Sequence, residues 1–167
     1  MMLRGRRLYQ LALLVVIAAL VTNCSLLWGE AVSNTATDGI FGLTLWVSQK
    51  QVSVGQPVAI RYTVENIRER TEVIQLEEKQ EPVMDIFVFF GRLANTTRIY
   101  WSDGREITPE MRRLELAPGE SKTIEMTWIP DKWATNESVR ISGILNRERM
   151  HQDVSIDICV GSCYLGH

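Results

Sequence analysis

"PVAIRYTVEN", residues 57–66, is the stretch whose reading decides the fold class. Val58, Ile60, Tyr62 and Val64 fall on one side of an extended chain, and Ala59, Arg61, Thr63 and Glu65 on the other. Period-two alternation of this kind predicts a strand with one face on a core and one face in water. Outward from it the same pattern recurs in "LTLWVS" (Leu43, Leu45, Val47), "KTIEMTW" (Ile124, Met126, Trp128), "VRISGIL" (Val139, Ile141, Leu145) and "VSIDICV" (Val154, Ile156, Ile158, Val160). "MDIFVFF", residues 84–90, is apolar on both faces apart from Asp85 and reads as a central strand. "VGQP" at 54–57, "SDG" at 102–104 and "APGE" at 117–120 place Gly or Pro where the chain must reverse. No helical period persists for a dozen residues. About eight short strands, or nine, without helices to cover a parallel sheet predict an all-β, antiparallel β-sandwich, with a closed barrel as the alternative.

The chain before these strands has a different character. "MMLRGRR" carries Arg4, Arg6 and Arg7, "LALLVVIAALV" at 11–21 is an apolar run, and "TNC" closes it. That order is an export signal, and it is similar to a bacterial lipoprotein signal in which the chain is cut before an acylated cysteine. Cys24 is then the expected lipidation site, residues 1–23 the signal helix, and 24–38 a tether in which "SNTATD" is too poor in apolar residues to pack. The domain is expected over 39–167. Asn23 departs from the small residue usual before such a cysteine. An uncleaved anchor over residues 8–28 and secretory cleavage further on are the competing readings. All three place the domain outside the cytoplasm, held in the first two cases at the membrane of a bacterial cell envelope. Beyond Cys24 the chain has 15 basic and 20 acidic residues, a balance that excludes nucleic acid as an expected partner.

Three cysteines divide as one lipid site and one pair, Cys159 and Cys163 in "CVGSC". An oxidising compartment allows the pair to close, and the Gly161-Ser162 turn can bring the two backbones within disulfide range. The short loop limits the expected stabilisation. The rival set of Cys159, Cys163, His167 and His151 fits none of the usual zinc spacings, so no metal is expected.

Catalytic motifs are missing from the sequence. His151 and His167 are the two histidines, and neither accompanies a nucleophile motif, a Walker loop or a dinucleotide fingerprint. Acidic runs such as "EEKQE" at 77–81 and "NRERM" at 146–150 read as solvated faces. Asp85 stands apart, because a carboxylate inside an apolar strand costs several kcal/mol unless it is hydrogen-bonded or paired. It is expected either to accept hydrogen bonds that set strand register or to serve a ligand. Of the tryptophans, Trp128 is in phase with its strand's core face, Trp46 is out of phase with its own, and Trp101 and Trp133 lie in connections. The choice for each is between core and a sugar-binding platform.

Taken in order, Asn66 after an early strand, Asp85, Trp101 with its "SDG" turn, Ile107, "LAPGES" at 116–121 and Trp128 make most of residues 43–146 resemble the bacterial intracellular proteinase inhibitor family, the BsuPI-like domain. The resemblance implies an immunoglobulin-like sandwich, no catalysis and no cofactor, and inhibition of a protease by protein binding. Met84 and "TNESVRI" at 135–141 depart from the family pattern. The export signal departs more, since the namesake inhibitor works inside the cell; a secreted serine protease is the matching expectation for the partner. The connection "YWSDGREITPEMRR", 100–113, is the longest polar one, and Trp101, Asp103, Arg105, Glu106 and Thr108 are its candidate binding residues. A structural or adhesion domain of the envelope without inhibitory activity is the alternative function, and an enzyme built on Asp85 the weakest.

Overall fold

The structure is a computed structural model that describes residues 30–77, 81–91, 96–147 and 151–163. Its strands are β1 (Val32–Thr37), β2 (Phe41–Val47), β3 (Gln51–Val52), β4 (Val58–Asn66), β5 (Glu72–Gln75), β6 (Met84–Phe90), β7 (Thr97–Tyr100), β8 (Arg113–Leu116), β9 (Ser121–Trp128), β10 (Glu137–Asn146) and β11 (His151–Val160). Among the described residues the only helical pieces are two 3-10 turns, at Pro109–Arg112 and Lys132–Ala134. One sheet runs β1-β2-β4-β9, a second β3-β11-β10-β6-β7, and β5 pairs with β8 as a small third. Every pairing is antiparallel except the two-residue contact of β3 with β11. The two larger sheets face one another, so the fold is the expected all-β sandwich.

The alternation of residues 57–66 is what the sandwich is built on. Val58, Ile60, Tyr62 and Val64 are buried while Ala59, Arg61 and Glu65 are exposed. β4 sits inside its sheet, paired with β2 through Leu45↔Tyr62 and with β9 through Tyr62↔Ile124. Its Tyr62 ring reaches across the core to β10 of the facing sheet, where a Cβ on Gly143 would lie 2.2 Å from Tyr62 Cδ2. Only a glycine lets the ring lie that close to the opposing backbone. At the other end, Phe90 of β6 meets Trp128 of β9 with ring centroids 5.8 Å apart, again sheet to sheet.

Three features differ from the sequence reading. The segment 33–38, read as a polar tether, contributes β1, which pairs with β2 from Val32↔Val47 to Thr37↔Gly42. An edge strand needs backbone partners more than apolar side chains. Val32 and Ala36 suffice to pack on the core, and Asn34 Nδ2 donates to Ser155 O of β11 at 2.9 Å. Asp38 caps the corner after β1 by accepting from the N–H groups of Ile40 and Phe41, and it pairs with Arg147. Arg147 therefore belongs to a half-buried ion pair and not to a solvated run. Finally, β6 is central in that β10 and β7 flank it, yet among the described residues no second layer covers its outer face: Phe87 and Phe89 are half-buried there, and Phe87 stacks on Tyr100 of β7 at 5.1 Å. The signal helix, Cys24 and His167 lie outside the described residues. Among the described residues no helix is long and apolar enough to cross a membrane.

Candidate functional site

The connection between β7 and β8, residues 101–112, is the longest in the described chain and it is braced in two parts. Its first part is a tight turn: Asp103 N–H donates to Tyr100 O at 3.1 Å, Arg105 N–H to Ser102 O at 3.0 Å, and Tyr100 N–H to Asp103 Oδ2 at 2.8 Å. Gly104, at φ +72°, supplies the left-handed step that such a turn needs. The Arg105 Nε donates to Trp101 O at 2.8 Å, and its guanidinium lies 4.5 Å from the Trp101 ring centroid. That pairing of a cation with an indole face holds both long side chains in one arrangement.

Asp85 anchors the turn from beneath. It is 4% exposed, on the outer side of β6 and next to Phe87 in phase. Its Oδ1 accepts from Ile86 N–H at 2.8 Å and Ser102 N–H at 3.2 Å, and its Oδ2 accepts from the Ser102 hydroxyl at 2.6 Å. A short O–H···O⁻ bond to a carboxylate is about twice as strong as a neutral one. Burial pushes the Asp85 pKa up; the Ser102 hydroxyl and the two N–H donors oppose the rise, and the neighbouring Asp103 carboxylate adds to it. The carboxylate therefore has donors for its lone pairs and sets where the loop leaves β7. Of the two sequence readings of Asp85, the described contacts match hydrogen-bond acceptance; all its donors are the chain's own.

The second part of the loop is tied down independently. Met111 N–H donates to Thr108 O at 3.1 Å, closing the 3-10 turn. The Thr108 hydroxyl bonds the Glu110 carboxylate and holds that carboxyl below its usual range. Val83 N–H donates to Met111 O at 2.8 Å and Leu76 N–H to Arg112 O at 2.9 Å. Of the candidate binding residues, Trp101, Asp103 and Arg105 meet in one turn, Thr108 opens the next, and Glu106 lies exposed between them. The chemistry on offer is that of a fixed surface with an indole, a guanidinium and carboxylates.

Other motif residues serve the fold. Asn66 is 0% exposed; its Nδ2 donates to Arg70 O at 2.7 Å and Leu116 O at 2.9 Å, and its Oδ1 accepts from Arg68 N–H at 2.9 Å. Its own backbone bonds Gly119 and Glu120, so one side chain joins the end of β4 to the "LAPGES" turn. Trp128 is core. Trp46 is half-buried beneath Arg61, whose guanidinium carbon is 5.2 Å from the ring centroid and which pairs with Glu125. Trp133 is 72% exposed beside Lys132. Cys159 and Cys163 form a disulfide with Cα atoms 5.7 Å apart. Cys159 sits opposite Ser138, whereas Asp85 sits opposite Ile144, six residues along β10. At strand rise that is about 20 Å, too far for the disulfide to shape the loop. Among the described residues no group of three or more His, Cys, Asp or Glu side chains could hold a metal ion.

The aromatic strip of Phe87, Phe89 and Tyr100 is the feature sequence reasoning missed. Its signal lies in "MDIFVFF", apolar on both faces, a pattern that a doubly buried strand shares.

Residues 45–143 match the model of the family described as BsuPI, intracellular proteinase inhibitor. No curated protein matches the chain. Among solved structures, the chain is similar to the sporulation control protein Spo0M from Bacillus subtilis at 13% identity and a TM-score of 0.43, with 80% of this chain and 50% of that one covered. It thus spans about half the length of that protein. It is also similar to the CARDB domain of PF1109 from Pyrococcus furiosus, at 12% identity and a TM-score of 0.39, covering 79% of this chain and 94% of that one. A β-glucosidase from Listeria innocua matches at 12% identity and 0.38, over 82% of this chain and 17% of that one. At these scores the likenesses carry no functional argument.

Proposed function

We propose, because this chain belongs to the BsuPI family of intracellular proteinase inhibitors, that it is a non-catalytic protein-binding domain that inhibits a proteinase through the connection 101–112. The observation that carries the reading is the bracing of that connection by Asp85, with Trp101 and Arg105 held exposed or half-exposed at its tip. A loop already ordered in the free protein loses less entropy on binding than a mobile one, which favours a tight inhibitor. The export signal read at Arg4 to Cys24 supports a workplace outside the cytoplasm, with a lipid on Cys24 holding the chain at the membrane and a secreted serine protease as partner.

The test is an inhibition assay of the full-length chain in detergent against subtilisin-like proteinases. Inhibition at micromolar concentration, lost in Arg105→Ala, supports the reading; absence of inhibition sinks it for that class. Palmitate labelling of wild type and Cys24→Ala tests the anchor, and equal label in both rejects lipidation.

A second reading, an envelope assembly domain without inhibitory activity, is favoured by the half-buried strip of Phe87, Phe89 and Tyr100 on the outer sheet face. Loss of envelope retention in Phe89→Ser, with no inhibition by wild type, would select it.

A further inference from the structure

Three of the five exposed large apolar side chains among the described residues gather at one end of the sandwich: Val54 is 45%, Ile129 58% and Trp133 72% exposed. Scattered singly, such residues need no explanation; three at one tip do. The backbone that carries them is fixed. Val54 tops the turn 53–57, which Gln56 N–H closes onto Ser53 O at 3.1 Å and which Gly55 N–H ties to Pro130 O at 2.8 Å, next to Ile129. Trp133 N–H donates to the Asp131 carboxylate at 2.9 Å, in the 3-10 turn whose Ala134 is buried, and Lys132 Nζ lies 5.0 Å from the Trp133 ring centroid. The chain enters the fold at this same end. Glu30 O, on the first described residue, accepts from Lys50 N–H at 3.2 Å, and Lys50 O accepts from Cys159 N–H at 2.9 Å at the end of β11. The braced connection 101–112 lies at the other end, because Asp85 beneath it sits opposite Ile144 of β10, seven residues from Glu137, which opens that strand here. At strand rise that is about 23 Å.

We infer that this end seats on a phospholipid bilayer, with Val54, Ile129 and Trp133 entering the boundary between headgroups and acyl chains. The occupant follows from where the chain enters. The assignment rests on the membrane-held reading above, under which either a lipid on Cys24 or an anchor ending at residue 28 leaves at most six residues to Glu30, a reach of about 20 Å at full extension. A tether of that length keeps the domain beside the membrane yet lets it turn; the apolar tip selects which way it faces. An indole beside a lysine suits the boundary, since the ring body is apolar, its N–H is polar and the ammonium reaches back to water. Glu30, Asp131 and Glu137 outnumber Lys50 and Lys132 at this end, so the attraction is to the apolar boundary and not to anionic headgroups. Seated this way, the connection 101–112 points away from the membrane.

Fluorine NMR of the full-length chain, labelled with fluorotryptophan and carried in phosphatidylcholine nanodiscs, tests this, with resonances assigned from Trp133→Phe and Trp101→Phe. A lipid nitroxide near the acyl carbonyls should broaden the Trp133 resonance and leave that of Trp101 sharp. Val54→Ser combined with Ile129→Ser should remove the broadening, because the apolar area that enters the boundary is lost. Both positions are exposed, so the doubly substituted chain keeps the fold, which circular dichroism checks. A Trp133 resonance broadened only by a water-soluble nitroxide, or by neither nitroxide, overturns the inference and leaves the anchor intact; the second result marks a protein, such as another copy of the chain, on this end. Equal broadening of Trp133 and Trp101, or broadening that survives the double substitution, overturns it too. A chain that does not purify with the nanodiscs overturns both the inference and the membrane-held reading.

Discussion

Replacing Ser102 with alanine removes one hydroxyl and isolates the contribution of the brace beneath the loop. The Ser102 hydroxyl donates to Asp85 Oδ2 at 2.6 Å, while the N–H bonds of Ile86 and Ser102 to Oδ1 survive the substitution. A hydrogen bond to a buried charged group contributes about 1.5–3 kcal/mol, so Ser102→Ala should destabilise the protein by about 2 kcal/mol at neutral pH. The pH dependence carries a sign that a generic packing defect lacks. Burial raises the Asp85 pKa, so the native state holds that proton more tightly than the unfolded chain. The group's stabilising contribution is complete below the unfolded carboxylate pKa, about 3.9, and is lost as pH rises through the folded value. Without the hydroxyl that opposes the rise, the folded pKa moves further up and more stability is lost on the way to neutrality. The deficit of Ser102→Ala relative to wild type should therefore grow from about pH 3 to pH 7. Urea unfolding of the full-length chain in detergent, followed by tryptophan fluorescence at both pH values, measures it. Exchange of the backbone amide at position 102 should accelerate in parallel. A deficit below about 0.5 kcal/mol at pH 7, or one that does not change with pH, would refute the argument that Asp85 is a charged anchor of the loop.

Gly143→Ala should destabilise by about 2 kcal/mol, because its methyl group meets the fully buried Tyr62 ring at 2.2 Å and one of the two must shift within a packed core; thermal and urea denaturation read it, and a neutral result removes Tyr62 as the cross-sheet contact. Tyr62→Phe, by contrast, should cost less than about 1 kcal/mol or stabilise, since the Tyr62 hydroxyl is buried with no hydrogen-bond partner among the described residues. Burial, with Asp153 and Asp38 nearby, pushes that phenol's pKa up, so it stays neutral and the comparison should not vary across ordinary pH. Asn66→Ala should cost about 3 kcal/mol, measured by urea unfolding, because three side-chain bonds are lost and the buried Leu116 carbonyl loses its donor.

Different residues were legible to different depths. Trp128 could be assigned to the core from its phase with Ile124 and Met126, and it is 4% exposed. Asp85 could be singled out as needing partners, because an ion among apolar neighbours is a local anomaly. Its main partner could not be named, since Ser102 lies 17 residues away and meets it only because β7 folds back on β6. "SNTATD" misled, because composition measures burial, whereas an edge strand is held by backbone bonds that any side chain permits.

By itself, then, the sequence determined the six longer strands β2, β4, β6, β9, β10 and β11: period-two alternation is a property of neighbouring residues, and it survives any arrangement of the sheets. It also determined the family, through motif residues such as Asn66 and Trp128 whose work is structural, and it marked the loop that joins β7 to β8. Tertiary structure alone decided which faces were closed. Tyr62 on Gly143, Asp85 under Ser102 and the half-buried aromatic strip on β6 each depend on segments distant in the chain. The physical reason is that extended conformation is chosen by local sterics and pattern, while burial and partnership are chosen by which strands pair and what packs across the core.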